Sequence, residues 1–150
     1  MLRRRVAPQM PSLLARLNPD PWTEPFWRAT REHRLVAPRC TACGAFRMPP
    51  SPFCWKCRTQ AVDWVELSGR GAVFTFNVTR QALVPFLRGA VPYVVAVIEL
   101  EDAPGVRLIS NVIDVDPALV KIGMPVRVAW DDIDEQTTIP RFVPADGASA

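Results

Sequence analysis

The chain has 150 residues, 49% hydrophobic and 22% charged, enough for one ordinary domain and too short for most multidomain enzymes. Sixteen prolines, against a usual share of about 5%, exclude an all-helical bundle, because each one ends, kinks or caps a helix. The net charge of +3 is uneven: residues 1–47 hold nine arginines and three acids, residues 48–150 nine basic and twelve acidic residues, so attraction for polyanions belongs to the N-terminal end.

Residues 1–20 are basic and proline-interrupted, and are expected to form a flexible arm. Pro8, Gln9, Pro11 and Ser12 break any apolar signal-peptide core, and no stretch nears the roughly 20 apolar residues of a membrane helix, so a cytoplasmic location is expected. Residues 21–36, PWTEPFWRATREHRLV, read as an amphipathic helix. Thr23 is placed to cap it, Glu24 lies in the first turn, and Pro25 is tolerated there. Trp22, Phe26 and Trp27 put aromatic rings on one side, which must be covered by the rest of the chain or by a partner. His33 reads as a solvated residue of this helix.

Residues 37–60 contain all four cysteines as two C-x-x-C pairs, Cys40/Cys43 and Cys54/Cys57, separated by ten residues. Two intervening residues let both thiolates of a tight turn converge on one ion, and two such turns complete a tetrahedron. Gly44 supplies the permissive backbone that the first turn requires. Disulfides would need an oxidising compartment, and a redox pair would need a single C-x-x-C in a strand–helix setting. The pattern therefore predicts a structural Zn(2+) held by Cys40, Cys43, Cys54 and Cys57, with iron as the alternative ion for the same sulfurs. With no coordination position left open, the metal is not expected to act as a catalyst.

From residue 61 to 144 the pattern changes to short segments of period two, bounded by Gly, Pro or Asp. In Val73–Thr79 the alternation puts Phe74, Phe76 and Val78 on one face, read as core rather than as a base-stacking surface. Val94, Ala96, Ile98 and Leu100 share another face, and segments 105–115, 125–130 and 138–143 follow, with one helical turn at 116–120. Five or six such strands predict a small closed barrel. The acidic run Asp131–Glu135 reads as a solvated hairpin loop, and residues 145–150 as a disordered tail.

With the cysteines assigned to metal, one His and one Tyr remain, and no nucleophile elbow, P-loop or dinucleotide fingerprint is present. No catalytic residue is assigned.

The order of these pieces resembles the DUF35 family. The matching motifs are Pro25-Phe26-Trp27, Arg39-Cys40 to Cys43-Gly44, Pro49-Pro50 to Cys57, Trp64 to Gly71, Val73 to Phe76, Pro92 to Ala96, Gly123 to Val126 and Pro140-Arg141-Phe142, together spanning residues 22–144. Arg58 and Thr59 depart from the small residues usual after the last cysteine. The resemblance implies a mainly β chain: an N-terminal helix, a rubredoxin-like zinc ribbon and a five-stranded OB-fold. It also implies a non-catalytic accessory subunit of a thiolase-superfamily enzyme, either a thiolase or a lipid-transfer-protein-type retro-aldolase of lipid or steroid side-chain degradation. Such a subunit would stabilise its partner and help form the acyl-CoA channel. On that reading Trp22, Phe26, Trp27, Arg141 and Phe142 are candidates for partner contact. Arg47 and Arg70 are candidates for CoA phosphates, against the plainer reading of solvated arginines. The alternatives are a stand-alone acyl-CoA carrier and a single-stranded nucleic-acid binder, the latter opposed by the negative charge of the barrel half.

Overall fold

The computed structural model describes residues 17–145, so most of the expected tail and most of the expected basic arm lie outside the described residues. Helix α1 (Glu24–Arg31) begins beside Asp20, whose Oδ1 accepts from the backbone N–H of Trp22 and Thr23 at 2.9 and 2.8 Å and from the Thr23 hydroxyl at 2.9 Å. Asp20 thus closes the turn that leads into the helix, its carbonyl accepting from the Glu24 N–H at 2.9 Å, whereas Thr23, at the N-cap position, offers no side-chain cap to the first turn. The helix is shorter than the span 21–36: His33 turns to φ 55° and strand β1 (Leu35–Cys40) starts two residues later. Leu35, Val36 and Ala37 gain more by extending into the core than the helix would by continuing, and Pro38 could not continue it.

Phe26, Ala29 and Thr30 form the buried face of α1, which packs on β1 and on the last strand of the barrel. Trp27 sets its ring edge-on to Phe26, with centroids 5.0 Å apart. Strand β1 pairs antiparallel with β2 (Val62–Leu67), from Leu35↔Leu67 to Cys40↔Val62. The stretch from residue 61 thus begins as the partner of the helix-linked strand, and the barrel begins later.

That barrel is closed by five strands in the order β3 (Arg70–Thr79), β4 (Tyr93–Leu100), β5 (Arg107–Val112), β7 (Thr137–Pro144) and β6 (Pro125–Asp134). All pairings are antiparallel except β5 with β7, which meet in parallel at Val112↔Phe142. Val94, Ala96, Ile98 and Leu100 fill the interior with Val73, Val126 and Phe142, following the alternation of β4. Closure brings β3 against β4 so closely at Gly71 that a Cβ there would lie 2.5 Å from the Glu99 carbonyl oxygen. A 3-10 turn, Pro117–Leu119, occupies the expected helical turn and is capped by Asp116.

Two sequence expectations fail inside the barrel. A bulge between Val73 and Thr75 shifts the register of β3, so that Val73 points inward while Phe74 stands out, 41% exposed, with the Arg107 guanidinium 3.5 Å from its ring centroid. The acidic run is not a loop: β6 extends through it, and Asp131 and Asp132 pair with groups on neighbouring elements. No described helix is long and apolar enough to cross a membrane.

Candidate functional site

The two C-x-x-C pairs adopt one repeated turn. The N–H of Gly44 donates to the Cys40 carbonyl and that of Arg58 to the Cys54 carbonyl, both at 2.9 Å. The N–H groups of Cys40 and Cys54 return to the carbonyls of Ala45 and Thr59 at 2.8 and 2.9 Å. In each turn the residue after the second cysteine is left-handed, Gly44 at φ 74° and Arg58 at φ 65°. Only the first of these is glycine, so the departure noted at Arg58 changes the residue without changing the turn.

These turns bring the four sulfurs within 4.8 Å of one another, with Cys40–Cys57 at 3.5 Å and Cys43–Cys54 at 3.6 Å. The edge of a tetrahedron with Zn–S bonds of about 2.3 Å is roughly 3.8 Å, whereas a disulfide needs about 2.05 Å. Amides already favour negative sulfur here. The N–H of Cys57, then that of Lys56, bring Cys54 down to about 6 against the cost of its burial. Burial opposes ionisation at Cys40 as well, but the N–H groups of Cys43 and Ala42 outweigh it and lower that thiol too. At Cys57 the Thr59 N–H favours the thiolate, yet burial and the sulfurs of Cys40, Cys43 and Cys54 prevail and push it up to about 12. Four sulfurs this close cannot all ionise unless a cation neutralises them. The donor set therefore fits a tetrahedral thiophilic ion, which would cross-link the two turns and leave no position for substrate.

Arg47 lies beneath these turns, 2% exposed. Its Nη1 donates to the carbonyls of Ser51 and Pro52 at 3.3 and 3.2 Å, and its Nη2 to those of Gln60 and Ala61 at 3.2 and 2.6 Å. A guanidinium engaged in this way is not presented to a CoA phosphate. The inter-knuckle stretch has three prolines and little regular pairing, so carbonyls there and after the second knuckle need donors from elsewhere, and Arg47 supplies them. The signal for this was an arginine inside a segment, residues 33–62, that contains no acid to pair with it. A groove of about 660 Å³ runs from this ribbon to the β4–β5 turn, lined by Phe46, Met48, Trp55, Lys56 and Val106 among others. Trp55 is 68% exposed there and donates its indole N–H to the Phe46 carbonyl at 3.0 Å.

Of the other candidate residues, Arg70 is exposed but holds Glu101 through Nε at 3.0 Å, which reduces its attraction for phosphate. Trp22 remains partly exposed, while Trp27 is half-buried against the core and Phe26 is buried in it. Arg141 and Phe142 are corrected outright as partner contacts. Phe142 is fully buried, and Arg141 donates from Nε to Asp131 Oδ2 at 2.6 Å and from Nη1 to Asn111 Oδ1 inside the barrel wall. The single parallel bridge between β5 and β7 leaves a seam, and this polar cluster fills it, aided by the Ser110 hydroxyl donating to the Pro140 carbonyl at 2.6 Å. His33 is likewise engaged. Its ring stacks on Trp130 with centroids 5.5 Å apart, and its Nε2 lies 2.9 and 3.1 Å from the Asp132 carboxylate oxygens, tying the end of α1 to β6.

Residues 27–63 match the family model described as "ChsH2, rubredoxin-like zinc ribbon domain", and residues 64–131 the one described as "ChsH2, C-terminal OB-fold domain". Two relatives are hydratase subunits. The "Probable enoyl-CoA hydratase alpha subunit" of Thermomonospora curvata is 40% identical over 121 residues, 80% of this chain and 37% of that protein. The "3-oxo-4,17-pregnadiene-20-carboxyl-CoA hydratase alpha subunit" of Mycobacterium tuberculosis is 38% identical over 127 residues, 79% of this chain and 39% of that protein. The chain thus spans less than two-fifths of the length of either. A "DUF35 domain-containing scaffold protein" of Methanocaldococcus jannaschii is 38% identical over 111 residues, 73% of this chain and 77% of its own length. Among solved structures, a chain of the "Ltp2-ChsH2(DUF35) aldolase" superposes with a TM-score of 0.78 at 35% identity, over 87% of this chain and 99% of that one.

Proposed function

Because the chain belongs to the DUF35 family, we propose that it is a non-catalytic accessory subunit of a thiolase-superfamily acyl-CoA enzyme. The observation that carries this reading is the likeness, over almost the whole of the neighbour's chain, to a DUF35 chain of an aldolase complex. The side-chain inventory agrees with it. The cysteines converge on one another, the sole histidine stacks on Trp130, and Arg47 and Arg141 are spent on internal carbonyls and carboxylates, so the chemistry is assigned to the partner. The pregnadiene and aldolase names among the relatives support an acyl-CoA substrate with a steroid or other lipid side chain. The ion in the ribbon is structural Zn(2+), held by Cys40, Cys43, Cys54 and Cys57.

Tagged protein purified from its source organism should bring down a thiolase-superfamily polypeptide identifiable by mass spectrometry; its absence would count against the reading. The groove beside Trp55 and Lys56 supports a second reading, in which the isolated chain binds CoA thioesters itself. Calorimetric titration of the purified chain with a CoA thioester separates the two, since a carrier binds alone and a docking subunit need not.

A further inference from the structure

The connection from β3 to β4 runs from Arg80 to Pro92, near the length of about 12 residues above which loops are usually functional. At its tip Leu83 is 89% exposed, and Val84 beside it is 37% exposed. A single exposed leucine needs no explanation, but here adjacent aliphatic side chains are held outward by a built turn. The Leu87 N–H donates to the Val84 carbonyl at 3.0 Å, that of Arg88 to Pro85 at 3.2 Å, and that of Ala90 to Leu87 at 2.9 Å, with Ala90 buried at the base. The segment from Val84 to Ala90 is therefore shaped by its own hydrogen bonds, with Leu83 directly before it, and a preshaped segment lowers the entropy cost of docking.

Arg80 and Arg88 bracket the apolar tip, both exposed, and no acid occurs between Glu66 and Glu99. The complement of such a surface is an apolar cleft with an acidic rim. The register of β3 and β4 places the loop at the Thr79↔Tyr93 end, whereas the turn that lines the ribbon groove follows the Gly71↔Leu100 end. The loop is thus separated from the ribbon by the length of the barrel strands.

We propose that the Arg80–Pro92 loop is a docking finger that seats Leu83 and Val84 in an apolar, acid-rimmed cleft of the partner enzyme. This rests on the accessory-subunit reading above and adds to it the surface and the chemistry of contact. A shaped turn carrying two aliphatic side chains suits a cleft better than a fluid lipid surface.

The test uses the full chain, tagged and purified from its source organism, beside the L83D/V84D double variant and the R80E/R88E variant. All these side chains are exposed, so the variants should keep the wild-type thermal midpoint. Wild type should retrieve a thiolase-superfamily polypeptide, the apolar variant should retrieve roughly tenfold less, and the charge variant should lose the salt sensitivity of the interaction. Equal retrieval by the apolar variant would overturn the finger while leaving the accessory-subunit reading intact; failure of wild type to retrieve such a partner would remove both. Leu83-dependent binding to phosphatidylserine vesicles, or a homodimer of the purified chain that L83D/V84D dissolves, would likewise overturn the finger if partner retrieval is unchanged.

Discussion

Arg58 and Gly44 hold the same left-handed position in the two cysteine turns, and only glycine adopts it without cost. Replacing Arg58 with Gly should raise stability by up to about 1 kcal/mol, whereas Gly44→Ala, with open space around the new methyl, should lower it by about 1 kcal/mol through φ alone. Thermal unfolding of the metal-loaded protein measures both. Asp132 makes a pH prediction. The His33 ring, then the Thr138 hydroxyl, hold its carboxyl below the usual 3.8, so the folded state binds that proton less readily than the unfolded chain. Its contribution to stability is present above pH 3.8 and is lost as pH falls through the lowered value. Acid unfolding of Asp132→Asn should therefore show a shallower dependence on pH in that range than wild type. At this scale the cysteines were legible because ligand chemistry dictates their spacing. Arg47, Arg141 and Phe142 were not, since a side chain's exposure depends on tertiary neighbours that a linear motif does not specify. Phe74 failed for a related reason. The bulge that turns it outward is an offset between two strands, and alternation within one strand does not reveal it.

Among the elements, the ribbon has the least core of its own. It rests on the sulfur cluster, on Arg47 and on the pairing of β1 with β2, so removal of its ion should disorder the cysteine turns while the barrel persists. Hydrogen exchange with and without a chelator should show protection lost over residues 40–60 and retained in β4, whose alternate side chains are buried. Elemental analysis of the loaded protein should find one ion per chain, and none in Cys57→Ser; a fully protected ribbon lacking the ion would contradict this. Strand β4 was legible because its buried side chains recur every second residue. The end of α1 was not, because Leu35 and Val36 suit a helix face as well as a strand, and the β2 segment that completes their sheet lies far along the chain. The acidic run misled because charge was taken to mean solvent, while Arg141 and His33 supply its partners from other elements.

At the scale of the whole molecule, a metal-linked ribbon and a closed barrel are joined by α1, which packs on β1 and β7 and is tied to β6 through His33. The five-stranded barrel was accessible from strand count, breakers and the family resemblance, whereas its strand order, and the surfaces left for a partner, became visible only in the fold, which withdraws Phe26, Arg141 and Phe142 from the outside. Large apolar side chains stay outside in several separate places, among them Trp55 at the ribbon groove, Leu83 on the β3–β4 loop, Ile109 on β5 and Ile122. Such a distribution suits a subunit that works by contact. The most direct measurement is the native mass of the tagged protein purified from its source organism, with each component identified by fragmentation. The account predicts a mixed assembly of this chain with a thiolase-superfamily subunit; a mass corresponding to this chain alone, or an assembly lacking such a subunit, would contradict it.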